Sequence, residues 1–127
     1  MENPYKRFNT SIKEFIRDLI SSFPEYNQFR MLLMAYKFTK TLSKKHPQIF
    51  FKQIIIDKHR DEIITENFNM FDHLYIDDNI PAIIKNLIFS FKDIKFLMSK
   101  MSQENKEAIM KYLQVLVVLS DRCGNTL

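Results

Sequence analysis

The segment that decides the fold is QENKEAIMKYLQVLVVLSDRC, residues 103–123. It begins behind Ser102, a side chain of the kind that caps the N-terminus of a helix. It ends at Gly124, the only glycine in the chain. Residues 112–119 are apolar almost all the way round a helix, and such a helix must be surrounded by other elements. We therefore predict that this segment is the central helix of a bundle.

A strand is the competing interpretation for the β-branched residues 115–119. Residues 104–114, however, are good helix formers, and no breaker precedes Gly124. The composition also favours helix, because one Gly and four Pro provide few of the turns that all-β folds need. We predict an all-α fold for residues 1–127, as a single-domain antiparallel bundle of about five helices with the C-terminal helix central.

The first helix is marked by apolar residues at helical spacing up to Pro24, which ends it. Asn3 and Pro4 can serve as cap and first helical residue. The alternative start is Ser11, which opens a capping-box pattern. The choice between the two starts stays open.

The second helix is predicted over about residues 25–43. Met31 and Met34 broaden its apolar stripe, which predicts burial on two sides. Its last turns are basic, as the dipole of a helix favours at a C-terminus.

The middle of the chain is less regular. We predict a helix for residues 48–67 because a lone strand would have no partner, and a break near residues 57–60 stays open. Residues 68–79 are predicted to be a long connection held to the core by its aromatic side chains. A further helix begins near Pro81 and runs to about residue 100.

Charge is unevenly distributed. The formal net charge is +4, but residues 1–50 carry nine basic and four acidic side chains, whereas residues 57–78 carry two basic and seven acidic ones. The preferred interpretation of the basic end of the second helix is a solvated, dipole-matched terminus. The alternative is phosphate binding, because Tyr36 and Phe38 lie among the lysines, as aromatic residues do at nucleic-acid surfaces. The phosphate-binding candidates are Lys37, Lys40, Lys44 and Lys45.

One cluster has a spacing that a metal site could use. On a helix, His59 and Glu62 would share a face because they lie three apart, and Asp57 and Asp61 would share one because they lie four apart. Two-metal sites in helical bundles draw such ligands from several helices. We therefore interpret the cluster as salt-bridged surface, and we predict no metal and no cofactor. A second acidic group, at residues 72–78, lacks the spacing and glycine of a calcium loop and is interpreted as helix capping.

No catalytic motif is apparent in the sequence. Cys123 has no base beside it in the sequence that would make it a nucleophile. As the single cysteine it also excludes an intramolecular disulfide, which favours a reduced, intracellular setting. One glycine excludes a glycine-rich phosphate loop. We expect no enzymatic activity, no small-molecule substrate and no signal peptide. We also expect no membrane span, since the longest apolar run is far shorter than the ~18 residues a span needs.

Three segments together resemble small helical proteins encoded by giant nucleocytoplasmic DNA viruses. They are FNTSIKEFIRDLISSFPE (residues 8–25), RDEIITENFNMF (residues 60–71) and NKEAIMKYLQVLVVL (residues 105–119). The sequence departs from that pattern at Ile63 and Ile64, where aromatic residues are expected. It departs again at Met110, where Trp is expected. The resemblance implies a viral origin and carries no established activity.

We interpret the chain as a non-enzymatic viral protein that binds another protein or itself, as a virion component or an adaptor in the host cytoplasm. An aromatic-rich connection and the lack of catalytic motifs favour this interpretation. The predicted partner-binding residues are Phe68, Met70, Phe71, Leu74 and Tyr75. Nucleic-acid binding through the basic end of the second helix is the alternative, and a metal enzyme at His59 and Glu62 is a third hypothesis.

Overall fold

The computed structural model describes residues 3–69, 96 and 99–124, and within them it contains four helices and no strand. The predicted all-α class is therefore confirmed for this part of the chain. The predicted helix from Pro81 to about residue 100 lies almost entirely outside it. The third helix, α3, covers residues 46–64 in three parts: His46–Phe51, a π-helical turn at Lys52–Ile56, and Asp57–Ile64. The others are α1 (Pro4–Ser22), α2 (Asn27–Leu42) and α4 (Gln103–Asp121).

Side-chain caps fix the N-termini of α1 and α4. The side chain of Asn3 accepts a hydrogen bond of 2.9 Å from the Tyr5 amide, and Pro4 is the first helical residue. The alternative start at Ser11 is therefore wrong. The Ser102 hydroxyl accepts a bond of 3.2 Å from the Asn105 amide. Each cap satisfies a backbone donor that the first turn of a helix leaves unpaired.

The break that the sequence left open in the third helix is a kink at His59. Its backbone angles, φ −132° and ψ 17°, are not helical, although the helix continues on both sides. The π-helical turn precedes it, and the three consecutive isoleucines of that turn are all buried. Residues 46–64 thus form one irregular helix with neighbours on several sides.

The centre of the described fold is formed by α1 and α3, each of which contacts the three other helices. The helix α4 packs mainly on these two, with one side buried in the core. Val115 and Val118, on its other side, are 48 % and 50 % exposed. The prediction that residues 112–119 are surrounded on all sides is therefore wrong. An all-apolar pattern shows which sides can be buried, but the placement of the neighbouring helices decides which sides are.

Candidate functional site

A groove of about 550 Å³ lies between α1 and α2, and five of its eleven described lining residues are cationic. Three of these cations, Lys6, Lys13 and Arg17, come from α1. They lie seven and four positions apart, so they share a face of that helix. Lys40 of α2 and Lys44, two residues beyond the end of that helix, line the same groove. Glu14 is the only carboxylate among the described lining residues. The cationic residues, which we call the groove cations, are Lys6, Lys13, Arg17, Lys40 and Lys44.

The groove cations repel one another. The pKa of Lys13 is lowered from its ordinary value, chiefly by the charge of Arg17, then by partial desolvation and by Lys40 and Lys37. Among the residues that the structure describes, no groove cation has a carboxylate within ion-pair distance. The described groove lining thus holds five positive charges against the one negative charge of Glu14.

Hydrogen bonds at the base of the groove join α1 to the end of α2. The Asn9 amide donates a bond of 2.8 Å to the backbone carbonyl of Lys44, and the Tyr36 hydroxyl donates one of 3.3 Å to the carbonyl of Asn9. Burial raises the pKa of Tyr36, against the opposing charge of Arg17. Asn9 is buried, and its Oδ1 has no hydrogen-bond partner among the described residues. These bonds join α1 to Tyr36 of α2 and to the backbone of Lys44, beside the groove cations.

The structure brings the four predicted phosphate-binding lysines close to α1. Lys40 and Lys44 line the groove, while Lys37 is close enough to lower the pKa of Lys13. The Lys45 ammonium lies 5.4 Å from the centre of the Tyr5 ring, at a cation–π distance. The contribution of α1 to the groove was not predicted. The spacing of its basic residues was visible, but nothing in the sequence showed which helix would face them.

A second surface is an apolar stripe on the outer side of α2, spaced three, four and four residues apart. Its members, which we call the α2 stripe, are Met31, Met34, Phe38 and Leu42, with exposed fractions of 44 %, 69 %, 45 % and 54 %. The prediction that the methionines bury this helix on a second side is therefore wrong. Arg30 and Lys37 are exposed on the same helix, which contains no acidic residue.

The predicted partner-binding connection is mostly outside the described residues. Phe68 is half-buried and packs against the core, as expected of an aromatic residue that holds the connection in place. Met70, Phe71, Leu74 and Tyr75 lie beyond the described range. Partner binding by these five residues stays a prediction.

The charged cluster of α3 forms local pairs. The His59 Nδ1 lies 3.0 Å from the Glu62 carboxylate, so the predicted shared face is confirmed for this pair. Lys52 pairs with Asp57 at 3.0 Å. His59, however, is buried rather than solvated. In residues 3–69 and 99–124 no three His, Cys, Asp or Glu side chains are grouped closely enough to hold a metal ion.

The single cysteine lies at the end of α4. Its Sγ donates a hydrogen bond of 3.5 Å to the carbonyl of Leu119, and partial burial raises the pKa of the Cys123 thiol. A raised pKa keeps the thiol protonated, and the protonated form is the poor nucleophile.

Comparison with known proteins gives no match to a family model, to a curated protein or to a solved structure. The class of the protein therefore rests on the fold and its two surfaces. The described residues define an all-α protein that carries a basic groove and a separate apolar stripe. None of the described helices is both long enough and apolar enough to cross a membrane.

Proposed function

We propose that the protein is a non-enzymatic protein–protein interaction module that binds an acidic amphipathic helix of another protein along the α2 stripe. The observation that carries the proposal is the contiguous exposure of Met31, Met34, Phe38 and Leu42. Single exposed apolar residues are ordinary, but a contiguous row of them marks an interaction surface.

The spacing of the stripe suits a helical partner. Apolar anchors three and four residues apart are the pattern with which helices recognise one another. Two of the four residues are methionines, whose flexible side chains adapt to a partner surface. A helix laid along α2 would therefore contact all four residues at once.

The positive charge of α2 determines which kind of partner helix can bind along the stripe. The helix α2 carries Arg30, Lys37 and Lys40 and no acidic residue. A second copy of α2 would bring like charges together, which disfavours pairing. A partner helix with Asp or Glu beside its apolar row would place opposite charges there. We therefore favour an acidic partner over self-association.

The proposal includes two further expectations from the sequence. The first is the viral setting, as a virion component or an adaptor in the host cytoplasm. The second is a fifth helix over about residues 80–100, completing an antiparallel bundle. Its predicted apolar face consists of Ile80, Ile84, Leu87, Ile88, Phe91 and Ile94.

A peptide titration tests the docking surface. The probe is a fluorescent synthetic helix with Leu at positions spaced three, four and four and Glu on both flanks. The control peptide has Lys in place of Glu. We expect the acidic peptide to bind, the basic peptide to bind at least about tenfold more weakly, and Phe38→Ala to weaken acidic-peptide binding about tenfold.

The matched control variant is Val118→Ala, which removes a similarly exposed apolar side chain from α4. It should leave the affinity unchanged. Equal binding of the two peptides, equal loss in both variants, or no peptide binding would each contradict the proposal. Dimerisation of the free protein that Phe38→Ala abolishes would also contradict it, because the occupant would then be a second copy.

A further inference from the structure

We propose that the groove between α1 and α2 binds the sugar–phosphate backbone of a single-stranded nucleic acid. This site lies beyond the proposed partner surface, because the groove cations and the α2 stripe share no residue. The length, charge and size of the groove and the rings beside it favour this ligand.

The row of cations is too long for one phosphate group. Lys6 and Arg17 lie eleven residues apart on α1, which corresponds to roughly 16 Å along a helix at 1.5 Å per residue. Lys40 of α2 and Lys44, just beyond the end of that helix, line the same groove. A single phosphate contacts only the cations around it, whereas a chain of phosphates can contact the whole row. The ligand class that matches is a phosphodiester chain.

The excess positive charge of the groove supplies the driving force for binding. The groove cations have no carboxylate partners among the described residues, and Lys13 is destabilised as a cation by its neighbours. Bound phosphates would replace this repulsion with attraction. Displacement of condensed counterions from the nucleic acid would add a favourable term that weakens as salt rises.

The size of the groove favours a single strand. A volume of about 550 Å³ is that of a ligand pocket and admits one extended chain rather than the body of a duplex. The neighbouring rings do not favour base stacking. Lys45 lies over the Tyr5 ring, and Tyr36 is buried. Binding should therefore depend on the backbone and little on sequence.

Fluorescence anisotropy with the full chain tests this inference. The probes are labelled twelve-nucleotide oligomers of deoxythymidine and of uridine, titrated between about 50 and 200 mM salt. We expect both to bind, with log K falling by about 0.7 per tenfold rise in salt for each phosphate contacted. The double variant Lys13→Gln, Arg17→Gln should weaken binding at low salt at least about tenfold and reduce the salt slope by about 0.7 per lost contact.

The matched control is Lys111→Gln, Arg122→Gln, which removes two exposed positive charges from the region of α4. Both double variants lower the net charge from +4 by two. Circular dichroism establishes that each remains helical. Retained binding in the control pair supports a site at the groove.

Three results would overturn the inference: no binding at the lowest salt, equal weakening in the two double variants, or preferential binding of another polyanion. The test for another polyanion uses heparin and vesicles containing a phosphoinositide as competitors of the oligomers. Displacement of the oligomers by either at a lower charge concentration would assign the groove to that ligand instead. The Phe38→Ala variant should bind the oligomers normally, so failure of the partner proposal is distinguishable from failure of this one.

Discussion

Gln48 and Ser120 are joined inside the core by a hydrogen bond of 2.6 Å from Nε2 to Oγ, although 72 positions separate them in the sequence. Both side chains are buried, and the bond ties the first turns of α3 to the last turn of α4. A buried polar pair of this kind fixes the relative position of two helices more specifically than apolar contacts do, because its geometry is narrow.

Replacing Ser120 by alanine removes this acceptor from the buried Gln48 amide. We expect Ser120→Ala to lower the free energy of unfolding by about 1–3 kcal/mol, the range for a buried group that loses a partner. Urea denaturation measures it. Ser21→Ala, at an exposed position of α1, should stay within about 0.5 kcal/mol of the wild type. Equal effects of the two substitutions would show that the Gln48–Ser120 bond contributes nothing specific.

The ion pair between Arg60 and Asp121 should contribute a small, pH-dependent stabilisation. The guanidinium donates two hydrogen bonds of 2.8 Å to the carboxylate, linking α3 to α4. We expect Asp121→Asn to cost no more than about 1 kcal/mol at neutral pH, since both side chains are more than a third exposed and water screens the pair.

The hydrogen bonds from Arg60 lower the pKa of Asp121 below its ordinary value of 3.8, against a smaller opposing effect of burial. A lowered folded-state pKa means that the stabilisation is present above pH 3.8 and is lost as the pH falls through the folded-state value. The difference in unfolding free energy between the wild type and Asp121→Asn should therefore shrink in acid. A difference that stayed constant between pH 7 and pH 3 would contradict the account.

Tyr112 should ionise at a higher pH than an ordinary tyrosine. Its hydroxyl donates a hydrogen bond to the Asp18 carboxylate, which, with burial and the negative charges of Asp18 and Glu14, raises the pKa of Tyr112 to about 12 from 10.0. The stabilisation from this bond is complete below pH 10 and is lost as the pH rises through about 12.

Alkaline titration of tyrosinate absorbance measures this pKa, with Tyr112→Phe identifying the contribution of Tyr112 among the five tyrosines. Asp18→Asn should lower the pKa of Tyr112, because the substitution removes the carboxylate that accepts its hydrogen bond and whose negative charge opposes ionisation of the hydroxyl. An unchanged pKa of Tyr112 in Asp18→Asn would show that Asp18 is not the main cause of the raised pKa.

Local signals in the sequence predicted local structure well. The cap at Ser102 was predicted, and Asn3 was one of two candidate caps, because a capping side chain acts on backbone groups two or three residues away. The exposure of Met34 and Val118 was not recognised. Their burial depends on which sides of α2 and α4 meet other helices, and the spacing of apolar residues does not contain that information.

The sequence predicted only those cations of the basic groove that lie at the end of α2. Lys40 and Lys44 stood out because they cluster at one helix end, whereas Lys13 and Arg17 looked like an ordinary polar face of α1. Their significance arises from the packing of the two helices, which brings both rows to one groove. Packing between segments distant in sequence is the step that the sequence pattern leaves undetermined.

The central claim is that the α2 stripe is an uncovered surface available to a helical partner, and site-resolved methionine oxidation tests it most directly. Among the four methionines that the structure describes, dilute peroxide should oxidise Met34 fastest and Met31 next, as read by peptide mass spectrometry, because oxidation follows exposure. Met110, which is 0 % exposed, should react at least about tenfold more slowly. The acidic peptide should slow oxidation at Met31 and Met34 and leave the partly buried Met101 unaffected. Oxidation of Met34 as slow as that of Met110 in the free protein would contradict the claim.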